Sequence, residues 1–186
     1  MQTRSRQSNC IKVLACETAI MTWKTILSFI LGATILTLLS AWSIEANLLP
    51  LATEIDYKSA ELSFIKIWVQ LALAIGVLLP GVAFLVWMRH PKVRTVFGFY
   101  LLVLGVQIAS EQIFSRVFFS SLLAIVGTLY TTFRVWQLWQ GKYLFSLNAE
   151  SDLVRDRVAR GLLWLLLLFW SANLIFVLPI AWLTII

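Results

Sequence analysis

The chain is short of charge. Only 13% of its 186 residues are Asp, Glu, Lys or Arg, about half the share with which a soluble domain covers its surface. Apolar residues make up 60% and the mean hydropathy is +0.87. A water-soluble or disordered chain is therefore excluded, because neither could keep this much apolar surface out of water. Eight glycines and four prolines exclude a collagen-like repeat. A single histidine, His90, supplies no pair of axial imidazoles for a haem and no Cys-His cluster for zinc or iron. The Gly-x-x-x-x-Gly-Lys phosphate loop, the Gly-x-Ser-x-Gly nucleophile elbow and the His-Glu-x-x-His helix are missing too. The expectation is a protein without catalytic, cofactor-binding or metal-binding residues.

Cysteine is confined to Cys10 and Cys16, and a disulfide there would close a short loop and constrain nothing else. Val13-Leu14-Ala15-Cys16 resembles a lipoprotein cleavage site only loosely, because Lys12 interrupts the short apolar stretch before it. Met21 leads directly into the first apolar run. Residues 1–20 are accordingly expected to be disordered or a non-native extension, and residues 21–186 a single membrane-embedded helical domain.

What is present is long apolar runs. They cover about Trp23–Trp42, Phe64–Met88, Thr95–Trp139 and Gly161–Ile186. A crossing needs about 20 residues. The third run, 45 residues long, would make a helix of roughly 67 Å, twice the hydrocarbon thickness. Its middle holds Glu111 and Arg116, both costly at a bilayer centre. Splitting it into helices of about 95–111 and 116–138 puts both at the headgroups. The predicted fold is thus an all-α, polytopic integral membrane protein. It has five transmembrane helices, a short hairpin between the third and fourth, and a short amphipathic inner-face helix at 148–160 before the fifth, capped by Ser151.

Charge counting agrees with five crossings. With the N-terminus on the cytoplasmic side, Arg4, Arg6, Lys12, Lys24, Arg89, Lys92, Arg94, Arg134, Lys142, Arg155, Arg157 and Arg160 fall inside, and Lys58, Lys66 and Arg116 outside. Twelve against three is a positive-inside bias, in a bacterial plasma membrane or a thylakoid. Trp23 and Trp42, Trp68 and Trp87, and Trp164 and Trp182 are 18 or 19 residues apart, which reads as belts of indoles at the two interfaces. The net charge of +6 then belongs to headgroup contacts rather than to nucleic acid.

The polar residues inside the runs are the candidates for function. Gln107 and Glu111, with Arg116 just beyond, form the candidate intramembrane site. Either they line a small polar cavity, or Glu111 pairs with Arg116 while Gln107 bonds a neighbouring helix. Gln70 and Asn173 are expected to hydrogen-bond between helices. Ser28 and Gly32, Ala72 and Gly76, and Gly105 and Ala109 are small residues spaced i,i+4, which lets backbones approach. Ser120, Gly127 and Thr131 form a further stripe, expected to oppose Gly105 and Ala109. These features suggest a non-catalytic accessory, assembly or scaffold protein packing against membrane lipids and against other integral membrane proteins or itself. The alternative is a small oligomeric transporter or channel component.

Overall fold

The computed structural model describes residues 22–53, 57–146 and 153–186. The expectations for residues 1–20 and for the Ser151 cap lie outside the described residues. The described residues are helical, without strands, and form five long helices. Helix α1 is Trp23–Glu45. Helix α2 runs through Ser59–Val86, with a π-helical stretch at Ala72–Leu78. Helix α3 is Pro91–Val117 and α4 is Leu122–Ser146. Helix α5 begins as Leu153–Ala172, loosens into a π-helical stretch at Asn173–Val177 and ends as Leu178–Leu183.

Four helices are long and apolar enough to cross a membrane: α1, α2, α3 and the Asp156–Leu183 portion of α5. This fits a membrane location. Helix α4 is of similar length, but Arg134, Gln137, Gln140 and Lys142 make it more polar. It is also the most enclosed element, packed against α1, α3 and α5. Helix α2 covers the far side, against α3 and α5. One core joins α2, α3, α4 and α5 around Phe97, Tyr100, Leu163 and Trp170. A second joins α1, α3 and α4 around Ile26, Val103, Val126 and Tyr130.

Local chemistry sets the helix ends. Thr22 caps α1 by accepting from the Thr25 amide. At its other end Asn47 takes the left-handed conformation (φ 55°), and the amides of Asn47 and Leu48 return to the carbonyls of Ile44 and Ser43. That is a Schellman closure, and Asn tolerates the positive φ it needs. Glu61 reaches back to the Lys58 amide at 3.0 Å to start α2, and Pro91 opens α3, where its missing N–H costs nothing. The Ala52 amide bonds the Ile185 carbonyl at 2.8 Å, and Ser120 Oγ reaches the Thr53 carbonyl at 3.4 Å. The loop after α1, the α3–α4 turn and the end of α5 are thereby gathered at one end of the bundle.

Several expectations need correction. The long third run does break into two helices, but at residues 118–121. Glu111 and Arg116 stand on the last turns of α3, where no backbone breaker interrupts the ladder. Residues 153–160 are the first turns of α5 rather than a separate helix. Gly105 and Ala109 are exposed, with nothing within 4 Å of a Cβ built on Gly105. The α3 face turned inward instead carries Val96, Tyr100, Val103, Gln107 and Phe114, whose larger surfaces gain more from burial. Gly127 lies against Leu178 of α5 and Thr131 bonds Asn173, so that stripe faces α5, not α3. Ser28 is exposed, Gly32 and Ala72 are half-buried, and Gly76 is buried. Gln70 is exposed. Trp68 and Trp182 are drawn inward by their N–H groups, which need acceptors in an apolar interior. They donate to Asn173 and Thr128 at 2.8 and 2.9 Å.

Candidate functional site

The α4 helix places Arg134 at its midpoint, twelve residues from Leu122 and twelve from Ser146. The side chain is fully enclosed, at 0% exposure. This overturns its assignment to the inner charge cluster, which assumed that the helix ends near residue 138. A cation at such depth requires compensation, and the neighbouring helices supply it. The guanidinium sits over the Trp170 ring of α5, 4.0 Å from the centroid, and 5.7 Å from that of Tyr100 on α3. Its Nη2 donates to Gln107 Oε1. The Gln107 amide nitrogen in turn donates to Glu111 Oε1 at 2.6 Å. A buried cation is thus joined to a half-buried carboxylate through one amide.

The aromatic partners are themselves fixed. Trp170 Nε1 donates to Tyr100 Oη at 2.8 Å, and Tyr100 Oη donates to the Gly76 carbonyl at 2.7 Å. Gly76 stands four residues before Pro80, whose ring nitrogen cannot serve that carbonyl as a helical N–H would. The Tyr100 hydroxyl gives that carbonyl a donor from another helix. Gly76 also permits the approach, since a Cβ there would lie 2.9 Å from Trp170. One polar network therefore links α2, α3, α4 and α5.

A second network lies alongside. Trp68 donates to Asn173 Oδ1 at 2.8 Å and stacks on Phe169 with centroids 5.0 Å apart. Asn173 Nδ2 reaches Thr131 Oγ1 at 3.4 Å. Asn173 opens the π-helical stretch of α5.

Of the predicted site residues, Gln107 and Glu111 come together and Arg116 does not join them. Arg116 is exposed and reaches Gln112 at 3.4 Å. Five residues along a helix turn a side chain about 140° away, so Glu111 and Arg116 point to different sides. Arg134 was the residue that sequence reasoning missed. The signal was Tyr130, Arg134 and Gln137 at i, i+4 and i+7, a polar stripe on one face of a helix.

Chemically, the site offers donors and one fixed cation. Arg134 Nε and Nη1, both polar atoms of Gln137 and the Tyr130 hydroxyl are buried without a hydrogen-bond partner. No nucleophile sits beside a base in the network. Among the described residues, no group of three or more His, Cys, Asp or Glu is placed to hold a metal ion. The fold and site define an all-helical protein with a polar network at the heart of an apolar bundle. Comparison with models of known protein families, with curated proteins and with solved structures finds no match.

Proposed function

We propose that the protein is a five-crossing integral membrane protein acting as a non-catalytic accessory, assembly or scaffold subunit that packs against other membrane proteins. The observation that carries this reading is where the interior polar groups go. Tyr100, Trp170, Gln107, Trp68, Asn173 and Trp182 all bond from one helix to another or to a neighbour on the network. They act as clamps, while α1 and α2 leave bulky apolar side chains such as Leu31, Ile35, Leu73, Val82 and Leu85 outward. Such a surface suits lipid or a partner's helices.

In this reading the N-terminus lies on the cytoplasmic side, and the positive-inside bias supports it. With Arg134 inside the bundle, the inner tally is eleven against three, and eight against three without residues 1–20. The clustering of the 46–53 loop, the 118–121 turn and the end of α5 supports an odd number of crossings, with the enclosed α4 added to the four apolar spans. The test is purification from native membranes in mild detergent. A stoichiometric membrane-protein partner supports the reading, and a chain that purifies alone and carries solute flux overturns it.

The alternative, a small oligomeric transporter or channel component, draws support from Arg134. Its Nε and Nη1, with the Gln137 amide one turn further on, are buried donors with no partner, as an anion-conducting interior would require. Under that reading Arg134→Gln abolishes flux while the protein still accumulates.

A further inference from the structure

A groove opens on the outer face of the bundle, between the start of α1, the end of α2 and the first turns of α3. It has a volume of about 330 Å³ and is lined by Trp23, Phe84, Arg94, Thr95, Gly98, Phe99 and Leu102. Its floor is shaped by Gly98, where a Cβ would stand 3.2 Å from the Phe84 ring. One wall is Trp23, set edge-on to Phe99 with centroids 5.2 Å apart. The lining changes character along its length. Arg94 and Thr95 lie at one end, and Phe99 and Leu102 lie one and two turns deeper, about 12 Å along the helix axis from Arg94.

The charge around this groove has one sign. Lys24, Arg89, Lys92 and Arg94 are exposed near its polar end, and residues 22–44 and 62–110 contain no carboxylate. The wider end of the bundle adds Lys142, Arg157 and Arg160 against Asp156. Lys142 lies over the rings of Trp139 and Trp164, whereas Arg94 is itself part of the groove's lining and exposed. A cationic mouth over an apolar trough matches one kind of molecule in a membrane: a negatively charged headgroup continuous with an acyl chain.

We propose that this groove is a binding site for an anionic glycerophospholipid. The phosphate meets Arg94, and an acyl chain lies over Gly98 against Phe84, Phe99 and Leu102. The site rests on the chain's residence in a bilayer and is independent of the accessory role. Native mass spectrometry of the full chain in detergent, loaded with dioleoyl phosphatidylglycerol or dioleoyl phosphatidylcholine, tests it. The two probes share their acyl chains and differ in headgroup charge. Wild type should retain the anionic lipid under activation that strips the zwitterionic one. Arg94→Gln should lower that retention about fivefold, the effect of one basic residue at a membrane surface. Arg94→Lys should keep most of it. Leu102→Trp, at an exposed position that needs no core rearrangement, should fill the trough and lower retention of both lipids. A melting curve for each variant separates loss of lipid from loss of fold, and Leu102→Trp carries the test if Arg94→Gln does not fold. Equal retention of the two lipids by wild type overturns the proposal, as does retention unchanged in Leu102→Trp. So does displacement by acyl-free glycerol phosphate, or a dimer that seals the groove and holds no lipid.

Discussion

The guanidinium of Arg134 rests on the face of the Trp170 indole, 4.0 Å from its centroid, halfway along the most enclosed helix of the bundle. A desolvated cation–π contact of this kind contributes about 2 kcal/mol. It also fixes which face of α5 meets α4, because the indole N–H is held by Tyr100. The arrangement resolves a conflict that composition alone poses: an apolar bundle with a charge at its centre. The cation is met by an aromatic face and an amide from two other helices, and that amide in turn holds a carboxylate.

A double-mutant cycle measures that contact. Arg134→Met and Trp170→Leu should each destabilise the protein in detergent, and their effects should couple by about 2 kcal/mol. Chemical unfolding followed by far-UV circular dichroism reads the four variants. A coupling below about 0.5 kcal/mol, the level at which independent sites add, would show that the two side chains do not meet.

The Gly76 carbonyl gives a sharper test. Tyr100→Phe removes the donor to Gly76 and the acceptor of the Trp170 N–H, which should cost about 1–2 kcal/mol. Pro80→Ala restores a backbone N–H four residues after Gly76. In the Tyr100→Phe background, Pro80→Ala should therefore recover part of the loss. Recovery should be incomplete, because the Trp170 N–H still has no acceptor. A loss of stability from Pro80→Ala in both backgrounds alike would show that the tyrosine does not replace the proline's missing donor.

Glycine packing reverses between sequence and structure. Spacing alone treats Gly76 and Gly105 alike, since each has a small residue four positions away. In the bundle, a Cβ at Gly76 meets Trp170 at 2.9 Å and one at Gly105 meets nothing within 4 Å. Gly76→Leu should then cost about 1–3 kcal/mol through overpacking, and Gly105→Leu should leave the melting temperature of the isolated chain unchanged. Equal sensitivity at the two sites would place α3 in another rotation.

Much of the architecture was legible because it follows from composition and length. Apolar runs of helical length identify α1, α2 and α5, and a run twice the bilayer thickness must break. The position of that break was not legible. Glu111 and Arg116 looked like the turn because charges favour water, yet Glu111 finds Gln107 within the same helix, so the helix runs on to Val117. That shift moves α4 along the chain and carries Arg134 from a helix end to its middle. The partner choices were hidden for a related reason. Trp68 and Trp170 carry the same indole, and only the tertiary fold decides that both N–H groups find acceptors inside.

Topology can be settled by labelling. In a background with Cys10 and Cys16 replaced by Ser, single cysteines at Leu48, Phe118, Met88 and Val154 report four connections, all at exposed positions. Leu48 and Phe118 lie near the end where the Thr53 carbonyl meets Ser120, so they should react with a membrane-impermeant maleimide from the same side. Met88 precedes the start of α3 and Val154 lies in the first turn of α5, so both should react only from the opposite side. The basic residues flanking Met88 and Val154 predict that this second side is the cytoplasm. If α4 did not cross, Val154 would label together with Leu48, and α4 would have to enter and leave the bundle on one face. Its 25 residues of unbroken helix span about 37 Å at 1.5 Å per residue, longer than the hydrocarbon core. A helix of that length enclosed by α1, α3 and α5 has its two ends at opposite faces, and labelling of Leu48 and Val154 from one side would sink the five-crossing arrangement.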